Sequence, residues 1–285
     1  MTEAPDFLVI GHVVQDLVGD GGEWRLGGAV SYASLLARNL GLRAAVLTSC
    51  ADDVPLAEML PGVEVCAVPS QKSTQMRNVY NAEGRREQWA PQRARVLTAD
   101  DLPDSWREAR IVLLGPVAGE IDESLAGAFA QESIVGLGAQ GWLREIGPDS
   151  RVRAVSPGAW RAGPLLERAT ALFLSDEDLP LDDAPAALAE WSAQVDVLAF
   201  TRGYGGADVC YRGEWRRLDA FPANPVDLTG AGDIFAAGFL ARYAETHDPW
   251  EATRFASAAA SLVIEGVGVE GVPAREIVEK RLGAG

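Results

Sequence analysis

The sequence is poor in the residues from which metal centres and disulfide frameworks are built. Its 285 residues include two histidines, His12 and His247, and three cysteines, Cys50, Cys66 and Cys210. The odd number and wide spacing of the cysteines argue against a disulfide framework or a thiolate zinc site, and they are typical of a reducing compartment. The two histidines lie far apart in the sequence, so a histidine metal site has little to build on.

Long hydrophobic runs and an excess of positive charge are also missing. The longest stretch without a charged residue has twelve residues, between Arg25 and Arg38, and is too short to span a bilayer. The start, MTEAPDF, shows no signal-peptide pattern, so we expect a cytoplasmic protein. With 25 basic and 41 acidic residues the net charge is −16, which argues against nucleic-acid and anionic-membrane partners.

What is present is a globular composition, with 48% hydrophobic and 23% charged residues. The length would allow two small domains or one large α/β unit. We find no repeat, no low-complexity linker and no shift in composition along the chain. The sequence therefore predicts one domain over residues 1–285.

Short apolar runs alternate with helical patterns along most of the chain. Buried strands are predicted for 7–10, 44–47, 111–114, 171–174 and 197–200. Helices are predicted for 30–40, 165–169, 185–194, 231–243, 250–265 and 275–282. This alternation predicts an α/β fold in which helices cover both faces of a mostly parallel sheet.

Two segments interrupt this pattern and predict a small β flap from about 12–26 and 70–95. Residues 16–26 are glycine-rich and indicate a loop or a short hairpin, while 75–80 and 85–89 indicate a hairpin with its turn at 81–84. The flap also carries arginines among aromatic residues, a pattern seen in single-strand nucleic-acid binding. Interleaved Glu83 and Glu87 and the acidic chain favour a solvated face instead, although one flap arginine could reach into a closed site.

The segment Asp-Leu-Thr-Gly-Ala-Gly-Asp at 227–233 is the most informative part of the sequence. Gly230 and Gly232 allow the backbone to turn at the start of a helix, where successive free N–H groups form an anion-binding nest. Asp233 adds a carboxylate that can accept a hydroxyl proton. Phosphoryl transfer to an alcohol needs these two parts. By itself, such a short segment could also be an aspartate-capped helix start.

This segment resembles the (D)TxGAGD signature of the ribokinase, or PfkB, family of carbohydrate kinases, with Leu228 as the departure. Near the other end of the chain, Gly11, Asp16 and the pair Gly27–Gly28 resemble the family's early glycine and aspartate pattern. The resemblance implies a ribokinase-like three-layer α/β/α sandwich. It also implies an ATP- and Mg²⁺-dependent kinase with Asp233 as base and the N–H groups of Gly230, Ala231 and Gly232 as phosphoryl donors. Asp16, Gly27 and Gly28 would bind the acceptor.

The nucleotide side resembles the family in outline. Thr201, Gly203 and Gly206 match T-x-G-x-x-G, whose main chain lies along the ATP phosphates. Ser175 and Asp178 stand where the family has N-x-x-E, which supports Mg²⁺ through water. Asp227 and Thr229 match positions that contact K⁺ in many relatives, so the resemblance also suggests K⁺ activation.

Three features resemble the myo-inositol kinase branch of the family. Tyr32 replaces the usual asparagine after the glycine pair, Gln140 and Arg144 form a Q-G-x-x-R pattern, and the spacing from Asp16 to Gly27 is short. Gly138 departs from that branch. We therefore expect a small sugar or cyclitol substrate, with Tyr32, Gln140 and Arg144 in the acceptor site, and a monomer or homodimer.

Other functions stay open at this point. A ribose, fructose or nucleoside kinase of the same family is the enzymatic alternative. The altered S-x-x-D pattern and Leu228 also allow a non-catalytic relative that senses a nucleotide or metabolite. A literal G-x-G-x-x-G at 136–141 could suggest a dinucleotide site, but no acidic residue follows it at the expected distance of about 20 residues.

Overall fold

The computed structural model describes residues 3–19, 22–80, 86–160, 162–179 and 182–283. The predicted turn at 81–84 and Arg85 lie outside these ranges. The strands in chain order are β1 (Phe7–Ile10), β2 (Val14–Val18), β3 (Glu23–Gly27), β4 (Ala44–Cys50), β5 (Glu64–Pro69), β6 (Thr74–Tyr80), β7 (Arg86–Gln92), β8 (Ile111–Leu114), β9 (Ile134–Gly138), β10 (Arg144–Ile146), β11 (Val152–Ala154), β12 (Ala171–Ser175), β13 (Val197–Thr201), β14 (Ala207–Tyr211) and β15 (Glu214–Leu218).

The helices are α1 (Ala29–Asn39), α2 (Leu56–Met59), α3 (Gly163–Arg168), α4 (Ala184–Ser192), α5 (Ala231–Thr246), α6 (Pro249–Val263) and α7 (Arg275–Gly283). Short 3₁₀ segments join several of these elements. The helices predicted from the sequence are present, and their bounds differ from the predicted ones by at most three residues. Such shifts are expected because helix ends depend on capping that the hydrophobic pattern does not report.

A nine-stranded sheet forms the centre of the molecule in the order β15-β14-β13-β12-β9-β8-β1-β4-β5. The strands from β13 to β5 run parallel to their neighbours. Their apolar runs are buried on both faces: Phe7 and Val9 pack in one core with α1, α5 and α6, and Leu8 and Ile10 pack in a second core with α3 and α4. The predicted three-layer α/β/α class is confirmed.

The sequence did not predict the edges of this sheet. The strand β5 closes one edge, and the antiparallel pair β14 and β15 closes the other. Residues 214–218 are mostly exposed and charged. An edge strand of this kind shows neither a buried run nor a clear alternation, so its sequence indicates a loop as well as a strand.

A second sheet of four strands, which we call the flap sheet, has the order β3-β2-β6-β7. Its strands come from the two segments for which the flap was predicted, and β2 and β3 of the first segment form an antiparallel pair. The short hairpin of β10 and β11 supports the flap sheet, since Ala90 N–H donates to the Ser150 carbonyl at 2.8 Å and Arg151 pairs with Glu87 at 2.6 Å.

Two further expectations from the sequence concern membrane-spanning helices and the pairing of the cysteines. Within the described ranges, no helix combines the length and apolar character needed to cross a bilayer. All three cysteines are free thiols, with Cys50 and Cys210 buried. Burial raises the pKa of the Cys50 and Cys66 thiols, and nearby carboxylates add to this effect, so neither is an activated nucleophile.

Candidate active site

A cavity of about 740 Å³ lies where the central sheet meets the flap sheet. Its lining includes the carboxyl ends of parallel strands, represented by Gly138 of β9, Ser175 of β12 and Thr201 of β13. Ligands of open α/β sheets bind at this edge because the strand ends and the following loops leave a crevice there. The cavity is therefore the candidate active site, and it has three parts with different chemistry.

The floor of the cavity is the start of α5, residues 230–233. Gly230 precedes the helix with φ of +81°, and a side chain at this position would collide with the ring of Tyr32. Ala231 N–H makes a long bond of 3.4 Å to the Leu228 carbonyl. The first N–H groups of a helix have no intrahelical acceptor, so the floor presents donors to the cavity.

Asp233 stands in the first turn of α5 and lines the same floor. Burial raises the pKa of its carboxyl to about 7, with the charge of Arg144 opposing this shift and those of Asp178 and Asp16 adding to it. A carboxylate with a pKa near neutrality takes up a proton far more readily than an ordinary aspartate. The floor therefore places anion-binding donors beside a carboxylate whose pKa is raised to about 7.

Tyr32 supports the floor from below. The residue is 1% exposed, and its ring lies against Gly230. Burial raises the pKa of its hydroxyl, and the charges of Asp16, Asp227 and Asp233 raise it further, so Tyr32 stays neutral. The residue that departs from the family's usual asparagine thus fills the space that the glycine leaves open.

The flap side of the cavity is lined by Val14, Asp16, Met76, Asn78 and Gln88. Of the residues predicted to bind an acceptor, Asp16, Gly28, Tyr32, Gln140 and Arg144 line the cavity. Gly27 is not a lining residue. Gly27 instead leaves space for the Asp16 carboxylate, because a side chain at position 27 would collide with it.

Gln140, Arg144, Ser175 and Asp178 form one polar cluster beside the floor. One oxygen of Asp178, Oδ2, accepts from the Ser175 N–H and hydroxyl, both at 2.8 Å. Its Oδ1 accepts from Gln140 Nε2 at 3.3 Å and lies 3.8 Å from Arg144 Nη2. Residues predicted for the acceptor and for the metal therefore contact each other, and a buried ion pair links them.

The carboxylates at this edge fit a Mg²⁺ ion. Asp176 and Glu177 line the cavity beside the buried Asp178, and carboxylate and water oxygens are the ligands that Mg²⁺ prefers. Among the residues described, no group of three or more metal-ligating side chains is already assembled. The arrangement suits an ion that arrives with phosphate groups and keeps several waters.

The third part of the cavity is a slot beyond the floor. Thr201, Gly203 and Gly206 line it at the end of β13, where Arg202 N–H donates to the Gly206 carbonyl at 2.8 Å. Gly206 has φ of +80°, and a side chain there would collide with the Leu218 carbonyl. The opposite wall is small and mostly apolar, and it consists of Ala220, Phe221, Ala223, Ser257, Ala260, Ser261 and Ile264.

Asp227 connects the floor to the loop after α6. Its Oδ1 accepts from Thr229 N–H at 2.9 Å and its Oδ2 from Gly268 N–H at 3.1 Å. Burial alone would raise the pKa of Asp227, but these hydrogen bonds hold it below the usual value. Both oxygens are thus used within the protein, and the K⁺ role of Asp227 and Thr229 stays a prediction.

Comparison with known proteins gives this site its context. Residues 164–275, which contain the slot and the floor, match the pfkB family carbohydrate kinases. A cytidine kinase of Thermococcus kodakarensis is 28% identical over 263 residues, which cover 84% of this chain and 88% of that kinase. An inositol 3-kinase of Zea mays is 33% identical over 142 residues, which cover 50% of this chain and 36% of that kinase.

The chain carries a pfkB family carbohydrate kinase domain. A pyrophosphate-dependent kinase of the ribokinase family, solved with sulfate, superposes with a TM-score of 0.81 at 24% identity. That superposition covers 96% of this chain and 99% of the other and shows the ribokinase fold. The protein is thus a kinase of the sugar and nucleoside group, and the predicted resemblance to the ribokinase, or PfkB, family is confirmed.

His12 follows Gly11 at the end of a predicted strand, and from the sequence a place in the acceptor pocket and a plain turn role are equally expected. His12 does not line the cavity; its Nε2 donates to the Arg95 carbonyl at 2.8 Å and its Nδ1 accepts from Thr74 Oγ1 at 2.7 Å. It therefore holds together the chain segments that enter and leave the flap sheet. The described flap arginines Arg77 and Arg93 are not lining residues either.

The sequence did not single out the lining residues Asn78, Gln88, Asp176 and Glu177. For Asn78 and Gln88, the signal in the sequence was the alternation of polar and apolar residues along β6 and β7. This alternation does not show which face of the flap sheet meets the cavity. For Asp176 and Glu177, proximity to the S-x-x-D pattern was the available signal.

Proposed function

We propose that this kinase transfers the γ-phosphoryl group of ATP to a hydroxyl of a small polyol, with a cyclitol of the myo-inositol type as the favoured acceptor. The observation that carries the proposal is the floor of the cavity. There, Asp233, with its pKa raised to about 7, lies beside the N–H groups at the start of α5, of which Ala231 N–H makes only a long bond to the Leu228 carbonyl. A base and a set of anion donors on the same helical turn are what phosphoryl transfer to an alcohol requires.

The chemical step can be written with the chain's own groups. The acceptor hydroxyl oxygen forms a bond to the γ-phosphorus while the bond from that phosphorus to the bridging β,γ-oxygen breaks, and ADP leaves with the electron pair. Asp233 takes the hydroxyl proton. The N–H groups of Gly230, Ala231 and Gly232 donate to the phosphoryl oxygens as charge develops on them. Asp16 and Gly28, with Gln140 and Arg144, hold the acceptor.

The donor would occupy the slot, with its phosphates along Thr201, Gly203 and Gly206. Kinases of this family typically use ATP with Mg²⁺, which neutralises charge on the phosphate chain. The carboxylates Asp176, Glu177 and Asp178, with Ser175, would hold that ion through water. The small apolar wall around Phe221 and Ile264 supports a nucleotide, because a purine ring needs a flat apolar space whereas pyrophosphate does not.

The polarity of the flap side supports a polyol acceptor. The lining residues from β2, β6 and β7 together with Gln140 and Arg144 supply carboxylate, amide and guanidinium groups from several directions. Tyr32 is the aromatic residue predicted for the acceptor site, and its ring is buried against Gly230, whereas a nucleoside kinase needs an accessible aromatic surface on which the acceptor's base can stack. The likeness to an inositol 3-kinase agrees with this choice, and the likeness to a cytidine kinase makes a nucleoside the second candidate.

The test is a turnover screen with Mg²⁺ and separate panels of inositols, pentoses, hexoses and nucleosides. ADP release is measured with ATP, and phosphate release is measured with pyrophosphate as donor. We expect the highest kcat/KM with ATP and an inositol. Preferred turnover of a nucleoside, or turnover with pyrophosphate alone, would refute the acceptor or the donor assignment. Binding of ATP without turnover of any acceptor would indicate a sensor.

A further inference from the structure

The small apolar wall of the slot consists of two pieces of chain with different support. One piece is the end of α6, and the other is the stretch 220–223 ahead of the floor, which belongs to no helix or strand. In the described part of the chain, no hydrogen bond between main-chain groups holds residues 219–225. Pro222 and Pro225 have no N–H group to donate. The position of this stretch therefore depends on the side chains that bind it.

Arg281 of the C-terminal helix α7 joins the two pieces. Its Nη1 donates to the Pro222 carbonyl at 2.9 Å and to the Ser261 hydroxyl of α6 at 3.1 Å. Its Nη2 donates to Glu265 Oε2 at 2.8 Å, and the Oε1 of the same carboxylate accepts from Asn224 N–H at 3.0 Å. The guanidinium thus contacts both pieces directly and reaches the stretch a second time through Glu265.

This contact is well placed to be rigid. The Arg281 and Glu265 side chains are 23% and 29% exposed, so their ion pair is less screened than one on the open surface. The Asn224 N–H and the Arg281 guanidinium hold the pKa of the Glu265 carboxyl below its usual value, and the carboxylate stays ionised. On the same helix, Val278 is fully buried in the core that α7 shares with α5 and α6.

We propose that Arg281 is a positioning residue for the nucleoside part of the phosphoryl donor. This inference rests on the proposed function, in which ATP occupies the slot. Arg281 is not a lining residue, so it acts on the donor through the wall that it holds. A binding surface recognises its ligand with defined geometry only when its support is rigid. The phosphates would lie along Thr201, Gly203 and Gly206, none of which Arg281 contacts.

A structural role is the competing explanation, since Arg281 could simply attach α7 to the domain. Arg275 of the same helix provides the comparison. It donates to the Leu40 carbonyl from Nε at 3.1 Å and from Nη2 at 2.9 Å, and Nη2 also donates to Glu245 at 2.7 Å. The Arg275 and Glu245 side chains are 30% and 31% exposed, and neither Arg275 nor its partners line the cavity. A structural role predicts the same effect for both arginines, whereas the proposed role predicts an effect on donor binding for Arg281 alone.

The experiment uses the full chain with Mg²⁺ and compares two ligands of the slot. ADP has a nucleoside, whereas tripolyphosphate supplies phosphates alone. Calorimetry gives the Kd of each ligand without the need for an acceptor. The variants are Arg281→Met and Arg281→Lys, with Arg275→Met as the matched control. The KM for ATP, the acceptor KM, kcat and urea unfolding are measured for each variant.

We expect Arg281→Met to raise the Kd of ADP and the KM for ATP about tenfold, while the Kd of tripolyphosphate changes less than about twofold. Acceptor KM and kcat should stay near those of wild type. Arg281→Lys should have an intermediate effect, because an ammonium can keep the ion pair with Glu265 but lacks the planar fork. Arg275→Met should leave both Kd values unchanged, even where it lowers the free energy of unfolding.

The inference is overturned if the ratio of the two Kd values is the same in Arg281→Met as in wild type, or if Arg275→Met changes this ratio equally. Should Arg281→Met fail to fold, the same ratio in Arg281→Lys decides. If wild type binds tripolyphosphate as tightly as ADP, the nucleotide assignment of the proposed function fails, and the inference fails with it. A preference of wild type for ADP that survives in the Arg281 variants refutes the inference alone, so the two failures are distinguishable.

Discussion

The floor and the flap side of the cavity are built in different ways. The floor is a single turn of chain, Gly230 to Asp233, in which backbone N–H groups and one carboxylate are adjacent in sequence. The flap side brings together Asp16, Asn78 and Gln88 from three strands that are up to 72 residues apart in the sequence. The comparison teaches that the phosphoryl chemistry is encoded locally, whereas acceptor recognition depends on how distant segments meet.

The two regions also differ in what a substitution should affect. At the floor, changes act on the reacting atoms or on a backbone turn with no space for a side chain, so they should alter turnover or folding. On the flap side, changes act on contacts to the acceptor alone, so they should alter its KM. The following predictions test this division.

Asp233→Asn should have the largest effect. The amide cannot take the hydroxyl proton, and loss of a general base usually lowers turnover by about 10²- to 10⁴-fold. Steady-state kinetics with the best acceptor gives kcat, and calorimetry gives ATP affinity, which should stay near that of wild type. Asp248→Asn, which alters the carboxylate that caps α6, is the matched control and should retain wild-type turnover. A turnover within tenfold of wild type would remove Asp233 from the base role.

Gly230→Ala should destabilise the fold, whereas Gly232→Ala should not. The first change places a methyl group on a residue with φ of +81° and against the Tyr32 ring, at a cost of about 2–4 kcal/mol. At Gly232 a side chain would have no neighbour within 4 Å among the residues described. Denaturant unfolding gives both values, and equal destabilisation by the two substitutions would contradict the account of the floor.

The same division explains how much the sequence could predict. The floor and five of the parallel strands were predictable because each depends on residues close in sequence: the Gly-Ala-Gly-Asp turn, and runs such as Phe7–Ile10 that are buried on both faces. The parallel strand β9, Ile134–Gly138, was not among the predicted strands. The edge strand at 214–218 was not predictable, because its exposed charged residues form no hydrophobic pattern that would indicate a strand. Asn78 and Gln88 were placed in a hairpin, but their face depends on where the flap sheet packs, and tertiary contacts alone determine this.

Asp16→Asn should weaken binding of the acceptor and leave binding of the phosphoryl donor unchanged. Replacing a carboxylate that receives hydroxyl donors removes a charge-assisted hydrogen bond, which corresponds to about a 10- to 100-fold rise in acceptor KM. The KM for ATP should change less than about twofold, because the slot is built from other elements. Glu23→Gln on β3 is the matched control, since this exposed residue is not a lining residue. A fall in kcat with unchanged acceptor KM would place Asp16 with the floor instead.

The smallest effect expected is a pH-dependent gain in stability from Asp233→Asn. In the folded protein, burial raises the pKa of Asp233 from 3.8 to about 7. Below about pH 4 the carboxyl is protonated in both folded and unfolded chains, so it has no effect on stability. Between pH 4 and 7 the folded chain binds the proton more tightly than the unfolded one, so the free energy of unfolding of wild type falls as the pH rises. Above pH 7 the carboxylate is ionised in both states, and the full cost of burying its charge remains.

Asparagine is neutral at every pH and avoids this cost. Because the Asp233 side chain is in part accessible to water in the cavity, we expect about 1–2 kcal/mol rather than the full value of the shift. In urea unfolding, the free energy of unfolding of the variant relative to that of wild type should be larger at pH 8 than at pH 5. A difference that is constant or reversed between these pH values would mean that Asp233 is an ordinary solvated carboxylate. The floor would then lack the tuned base that distinguishes it from the flap side.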